Sequence, residues 1–245
     1  MTLSRRLFLR AVTCVFAAAC FGRGHAQDRY AAARENLLRE IENDMRSTAR
    51  ETGHPELSAA VRRALATVPR ERFVPPHLAA LAYENRPLPI GEGQTISQPF
   101  IVALMTQLLQ PKPGHVVLEV GTGSGYQAAV LAECVAKVYS IEIVAPLARS
   151  AREALDAAGY RHVETRIGDG YLGWPEAAPF DGIIVTAAPD HVPRRLIEQL
   201  KPRGRLMIPV GPLSATQELL VIEKGADGET ITRRVLAVRF VPLTR

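Results

Sequence analysis

The chain has 245 residues, of which 47% are hydrophobic and 22% charged, with a formal net charge of +5. That length suits one α/β domain with small extensions or at most two domains, and the ordinary balance of apolar and charged residues excludes a disordered or fibrous chain. The charge does not argue for a nucleic-acid partner: four of the 30 basic residues (Arg5, Arg6, Arg10 and Arg23) lie in residues 1–26, which hold no acid, leaving 26 basic against 25 acidic residues in the remainder.

Residues 1–26 read as an export signal of the twin-arginine type. Ser4-Arg5-Arg6-Leu7-Phe8-Leu9-Arg10 precedes the apolar run Ala11–Phe21, and Gly24-His25-Ala26 offers small residues to a signal peptidase. The run is far shorter than the roughly 20 residues that cross a bilayer, so no stable membrane insertion is expected. The expected location is periplasmic if the leader is used and cytoplasmic otherwise. Cys14 and Cys20 fall inside the leader, so Cys134 alone would remain after cleavage, without an internal disulfide or a cysteine metal cluster.

From Arg29 to Arg50 the spacing of Leu37, Leu38, Ile41 and Met45 predicts an amphipathic helix, broken by Gly53-His54-Pro55. A second helix is predicted over Leu57–Val68, ended by Pro69, and the prolines at 75, 76, 87 and 89 interrupt regular structure beyond it. Residues 27–90 therefore read as a helical N-terminal cap, and residues 91–245 as the main domain. A helix is predicted from Pro99 to Leu109. Strands Val116–Val120, Val138–Ile143, Val163–Ile167, Gly182–Ala187 and Arg205–Val210 then alternate with helices Tyr126–Val135, Pro146–Ala158 and Pro193–Leu200. Near-continuous apolar strands between helices imply an α/β fold with a doubly wound, mostly parallel sheet covered on both faces. Leu219–Glu223 and Val235–Phe240, joined by a turn at Gly225–Glu229, are predicted to add an antiparallel C-terminal edge.

Chemistry concentrates at two places. The first predicted strand runs into Glu119-Val120-Gly121-Thr122-Gly123-Ser124-Gly125, a glycine turn that opens a helix and lets backbone approach a ligand. The spacing is G-x-G-x-G rather than the G-x-G-x-x-G of dinucleotide sites, and no basic residue or Lys-Ser/Thr pair accompanies it, which disfavours a triphosphate. Glu142, 21 residues after Gly121 at the end of the next strand, is placed to accept hydrogen bonds from both hydroxyls of a ribose. Asp169 in Gly168-Asp169-Gly170, after the third strand, is placed to reach an adenine amino group. The second place is Thr95-Ile96-Ser97-Gln98, just before a predicted helix. There Ser97 can cap the helix, meet a substrate, or do both. The histidines share no metal-binding spacing, and no metal site is expected.

The order of Glu119, the glycine turn, Glu142 and Asp169 resembles class I S-adenosylmethionine-dependent methyltransferases, with their Rossmann-like fold. Val68–Val74, Pro87–Gly91, Gly93–Pro99, Val117–Tyr126, Val185–Pro189 and Arg239–Thr244 together resemble protein-L-isoaspartate O-methyltransferases, most specifically at Thr95-Ile96-Ser97. The resemblance implies a monomeric enzyme that transfers methyl from S-adenosyl-L-methionine to the free carboxylate of isoaspartyl residues in damaged proteins and peptides. It implies Ser97 at the methyl-transfer centre and Thr95, Ile96 and Gln98 around the substrate. Glu119, Gly121, Thr122, Gly123, Ser124, Gly125, Glu142, Asp169, Gly170 and Thr244 would surround the cofactor. The ester product would collapse to a succinimide and hydrolyse partly to normal aspartate.

Overall fold

The structure, a computed structural model, describes residues 29–212 and 215–245; the predicted leader lies outside them. Helix α1 (Ala31–Ser47) buries Leu37, Leu38, Ile41 and Met45, the stripe that the spacing predicts. A short α2 (Ala49–Thr52) ends at Gly53, whose φ of 76° gives the left-handed cap that glycine adopts without a Cβ penalty. Helix α3 (Ala59–Thr67) starts two residues later than predicted, because the Ser58 hydroxyl accepts from Val61 N–H at 3.3 Å and sets the cap there. Two 3-10 turns come next, Arg70–Phe73 and Pro76–Leu81.

Sequence patterning missed the following element. Strands β1 (Leu88–Gly91) and β2 (Gln94–Ile96) form a small antiparallel hairpin, turning through Gly91, Glu92 and Gly93, all with positive φ. Helix α4 (Pro99–Leu109) then leads into the main sheet. Strands β3 (Val116–Val120), β4 (Lys137–Glu142), β5 (Glu164–Ile167), β6 (Phe180–Val185), β7 (Leu200–Val210), β8 (Gln217–Lys224) and β9 (Thr230–Val238) lie in the order β5-β4-β3-β6-β7-β8-β9. The pairs from β5 to β7 are parallel, and β8 and β9 add the antiparallel edge. The predicted last strand, Val235–Phe240, is corrected to β9. It starts five residues earlier, where exposed Thr230–Arg234 pair with β8 without any apolar pattern to announce them. Strand β7 likewise begins at Leu200, five residues before the predicted Arg205, through a stretch that holds Pro202 and Gly204.

Alternate strand residues face opposite sides. Val117, Val138, Ile184 and Met207 join one core with α1, α3, α4, α5 (Tyr126–Ala132) and Leu155 of α6 (Ala145–Ala157). Leu118, Val120, Ile141, Ile183, Val185 and Leu206 form the other with Trp174 and Leu196 of α7 (Arg194–Glu198). The helices of the N-terminal cap thus share an apolar core with the sheet. The chain runs from β3 outward to β5 and then returns to β6 on the other side of β3. That reversal opens a crevice at the carboxyl ends of β3 and β6, the place where such sheets bind ligands.

Candidate active site

The crevice is a cavity walled by the ends of four strands. Gly121–Ser124 after β3, Glu142–Val144 after β4, Gly168 and Gly170 after β5, and Thr186 and Ala187 after β6 all line it. Thr95, Ile96 and Ser97 of the hairpin close one side, and Val241–Thr244 close another. The last segment is held by main chain: Ala188 N–H donates to the Val241 carbonyl at 2.8 Å, and Leu243 N–H to the Ala188 carbonyl at 2.9 Å.

The glycine turn is shaped by its neighbours. Gly121 has φ 97°, and a Cβ there would stand 2.5 Å from Thr186 Oγ1. Thr186 uses that hydroxyl to donate to the Gly121 carbonyl, at 2.6 Å. Gly125 has another task. It does not line the cavity; its φ is 86°, and a Cβ would meet Leu155 of α6 at 3.1 Å, so it serves helix packing. Glu142 ties the turn to α6. Its Oε2 accepts from Gly123 N–H at 2.8 Å and its Oε1 from Val144 N–H at 2.9 Å. A carboxylate has about four acceptor sites, so two remain for a ligand.

Glu119 is more buried than a ligand-facing acid need be, at 0% exposure. The Ser140 hydroxyl donates to its Oε2, the Thr122 hydroxyl lies 2.6 Å from that of Ser140, and Oε1 has no hydrogen-bond partner among the described residues. Burial, aided by the nearby charge of Glu142 and opposed by the Ser140 hydrogen bond, pushes the carboxyl up to about 8. Glu119 therefore keeps its proton in the folded protein at neutral pH. The unfolded chain gives it up above the ordinary value of 4.5, so this residue progressively costs stability as pH rises from there to about 8. The melting temperature of Glu119→Gln relative to the parent should accordingly rise between pH 5 and pH 8, then level off. An offset that is the same at both pH values would reject a protonated Glu119.

Asp169 does not reach the cavity wall. Its Oδ1 accepts from Tyr171 N–H at 2.8 Å and starts the 3-10 turn Gly170–Leu172, while Gly168 and Gly170 on either side supply the lining. At Gly170 a Cβ would come within 2.4 Å of Val120 Cγ1 and 3.2 Å of Leu243.

A second cavity of about 560 Å³ adjoins the first, between α1, α4 and the end of β9. Thr95, Ser97, Thr186 and Val241 line both, and Gln98 lines the second alone. The helix cap is Gln98, without a side-chain bond, so Ser97 does not cap α4; its hydroxyl has no hydrogen-bond partner among the described residues. Thr186 and Val241–Leu243 do not stand out from sequence as site residues, and only their presence in motif-like stretches at 185–189 and 239–244 marks them. Among the described residues no group of three or more His, Cys, Asp or Glu side chains is gathered to hold a metal ion.

The family model for protein-L-isoaspartate(D-aspartate) O-methyltransferase matches residues 42–245. The chain belongs to that family. A protein-L-isoaspartate O-methyltransferase 2 of Syntrophobacter fumaroxidans is 57% identical over 221 residues, covering 90% of each chain. Another of that name, from a Polaromonas species, is 55% identical over 208 residues, covering 85% of this chain and 99% of its own. Among solved structures, a β-aspartate methyltransferase from Plasmodium falciparum, in complex with S-adenosyl-L-homocysteine, superposes with a TM-score of 0.71 at 25% identity, covering 88% of this chain and 98% of that one. The residues that match the family run from α1 in the cap, across the crevice, to the C-terminal segment that closes it.

Proposed function

We propose that this chain is a protein-L-isoaspartate O-methyltransferase that uses S-adenosyl-L-methionine to methylate the free carboxylate of isoaspartyl residues in proteins and peptides. The ester that results would close to a succinimide, and its hydrolysis would return part of the damage to normal aspartate. The observation that carries this reading is Ser97: an unpaired hydroxyl on the wall common to two cavities. One cavity suits the cofactor and the other has room for the flanks of a peptide.

The lining of the first cavity suits an adenosyl ligand. Bare backbone at Gly121 and Gly123 allows close approach, and the spare oxygen sites of Glu142 suit the ribose hydroxyls. Gly168 and Gly170 would hold the base, while Thr122, Ser124, buried Glu119 and Thr244 complete the enclosure. Bound there, S-adenosyl-L-methionine supplies an electrophilic sulfonium methyl. The chain's own residues then have one task, to aim a carboxylate. The α-carboxylate of an isoaspartyl residue, which ordinarily titrates at about 3.3–3.7, is already ionised at neutral pH and needs no general base. Ser97 donates to one of its oxygens and fixes its direction, with Thr95, Ile96 and Gln98 shaping the pocket. Rate then comes from orientation and from exclusion of water. A hydroxyl suits this better than a cation, because a tight ion pair would be lost as the negative charge disappears in the transition state.

The test is methyl transfer from labelled S-adenosyl-L-methionine to a matched pair of peptides, one isoaspartyl and one aspartyl. Transfer to the isoaspartyl peptide alone is expected. Equal transfer to both, or to neither with cofactor bound, would refute the substrate assignment. In the same assay Ser97→Ala should lower kcat/KM about 10- to 100-fold, the cost of about 1.5–3 kcal/mol for a hydrogen bond to a charged group, with S-adenosyl-L-homocysteine affinity retained. Export by a twin-arginine leader is also proposed, and a reporter fused to residues 1–30 should leave the cytosol only while Arg5 and Arg6 are intact.

A further inference from the structure

Arg70 is a buried cation whose partners are two carbonyls and a ring. It opens the 3-10 turn Arg70–Phe73 and is 0% exposed. Its Nε donates to the Ala82 carbonyl at 2.8 Å, and its Nη2 donates to the carbonyl of Ser97 at 2.9 Å. The guanidinium lies over the ring of Tyr126, 4.8 Å from its centroid, and Nη1 has no hydrogen-bond partner among the described residues. Burying a charge without a carboxylate beside it is costly, and an apolar side chain could fill the same space without that cost.

The groups it grips give the reason. Ser97 belongs to the substrate loop. Tyr126 is the first residue of α5, directly after the glycine turn, and it lines the cofactor cavity with Ser97. One planar group therefore joins the two loops whose separation sets the distance between carboxylate and methyl. We propose that Arg70 is a positioning residue for methyl transfer, fixing the Ser97 peptide in height and tilt against the cofactor loop. This rests on the reading of Ser97 as the group that aims the carboxylate. A guanidinium holds two acceptors and stacks on a ring in one fixed geometry, which an ammonium does not. A small error in aim is costly, since a displacement of about 1 Å at a reacting centre can cost about 100-fold in rate.

Arg70→Lys keeps the charge and loses the fork. In the folded variant kcat should fall about 10- to 100-fold, while KM for the isoaspartyl peptide and Kd for S-adenosyl-L-homocysteine stay within about threefold. Combined with Ser97→Ala, the loss should be less than the product of the two single losses, because both act through one hydroxyl. A folded Arg70→Lys with full kcat, or strictly multiplicative losses, would overturn the proposal while leaving Ser97 in place. Full activity in Ser97→Ala would instead remove the reading on which the proposal rests. Should Arg70→Lys not fold, nitrogen-15 spectra of the Arg70 guanidinium in the parent enzyme with S-adenosyl-L-homocysteine decide. A shift on adding the isoaspartyl peptide but not its aspartyl isomer supports the role, and no shift overturns it.

Discussion

Gly121→Ala should abolish useful cofactor binding, weakening Kd for S-adenosyl-L-homocysteine by about 100-fold or more and lowering stability by about 2–4 kcal/mol. The reasons compound. An L-residue at φ 97° is strained, and its Cβ would stand 2.5 Å from Thr186 Oγ1. Relief requires either Thr186 to rotate, giving up its bonds to the carbonyls of Gly121 and Val120, or β3 and β6 to part at the crevice. The second response opens the wall on which both cavities depend. For a domain of this size such a loss corresponds to a fall in melting temperature of about 5–15 °C. Gly114→Ala is the control, since a Cβ there meets nothing within 4 Å and its φ is ordinary. Calorimetric titration and a thermal melt read both effects, and a Gly121→Ala enzyme that binds and melts like Gly114→Ala would refute the account.

Glu142→Gln should weaken the same Kd about 100-fold or more and cost about 1–3 kcal/mol in stability, since the side chain is buried and one backbone N–H loses its acceptor. A ribose held by two hydrogen bonds to a carboxylate gains about 1.5–3 kcal/mol from each. The amide keeps the volume but brings an N–H₂ group towards either Gly123 N–H or Val144 N–H, both of which need an acceptor. The turn must then shift to avoid facing donors. A Kd within about threefold of the parent would show that Glu142 only braces the turn and does not meet the ligand.

The parts of the fold that were legible in sequence are those whose burial is total. Val116–Val120 and Ile183–Val185 lie in the middle of the sheet and are largely apolar, so both strands stand out, although the second is predicted over Gly182–Ala187 and runs over Phe180–Val185. The β1–β2 hairpin and the first half of β9 were illegible for the opposite reason. Pro89 sits in a short strand outside the main sheet, and Thr230–Arg234 lie on an exposed edge, so neither stretch carries an apolar pattern. The glycine turn could be read because a single strand–turn–helix holds Gly121, Gly123 and Glu119, with Glu142 one strand away. Glu119 does line the cavity, but nothing in the sequence reveals that Ser140 and Thr122 line up behind it. Arg70 and Thr186 escaped because their partners, Ser97 and Gly121, lie 27 and 65 residues away in the chain. The sequence reading places Asp169 to reach an adenine amino group; the structure shows its Oδ1 accepting from Tyr171 N–H at the start of a 3-10 turn, a bond that the sequence does not announce.

The cap and one face of the sheet share a continuous apolar core, from Leu37 and Met45 through Leu104 to Val117 and Ile184. That shared core ties the part that holds the cofactor to the part that overhangs the acceptor. It works as a fixed gauge, and the give in each encounter must come from the damaged chain. A lesion clamped inside a target's own secondary structure is invisible until that region frays, so the order in which aged proteins are repaired should follow the local opening rates of the targets rather than any property of the enzyme.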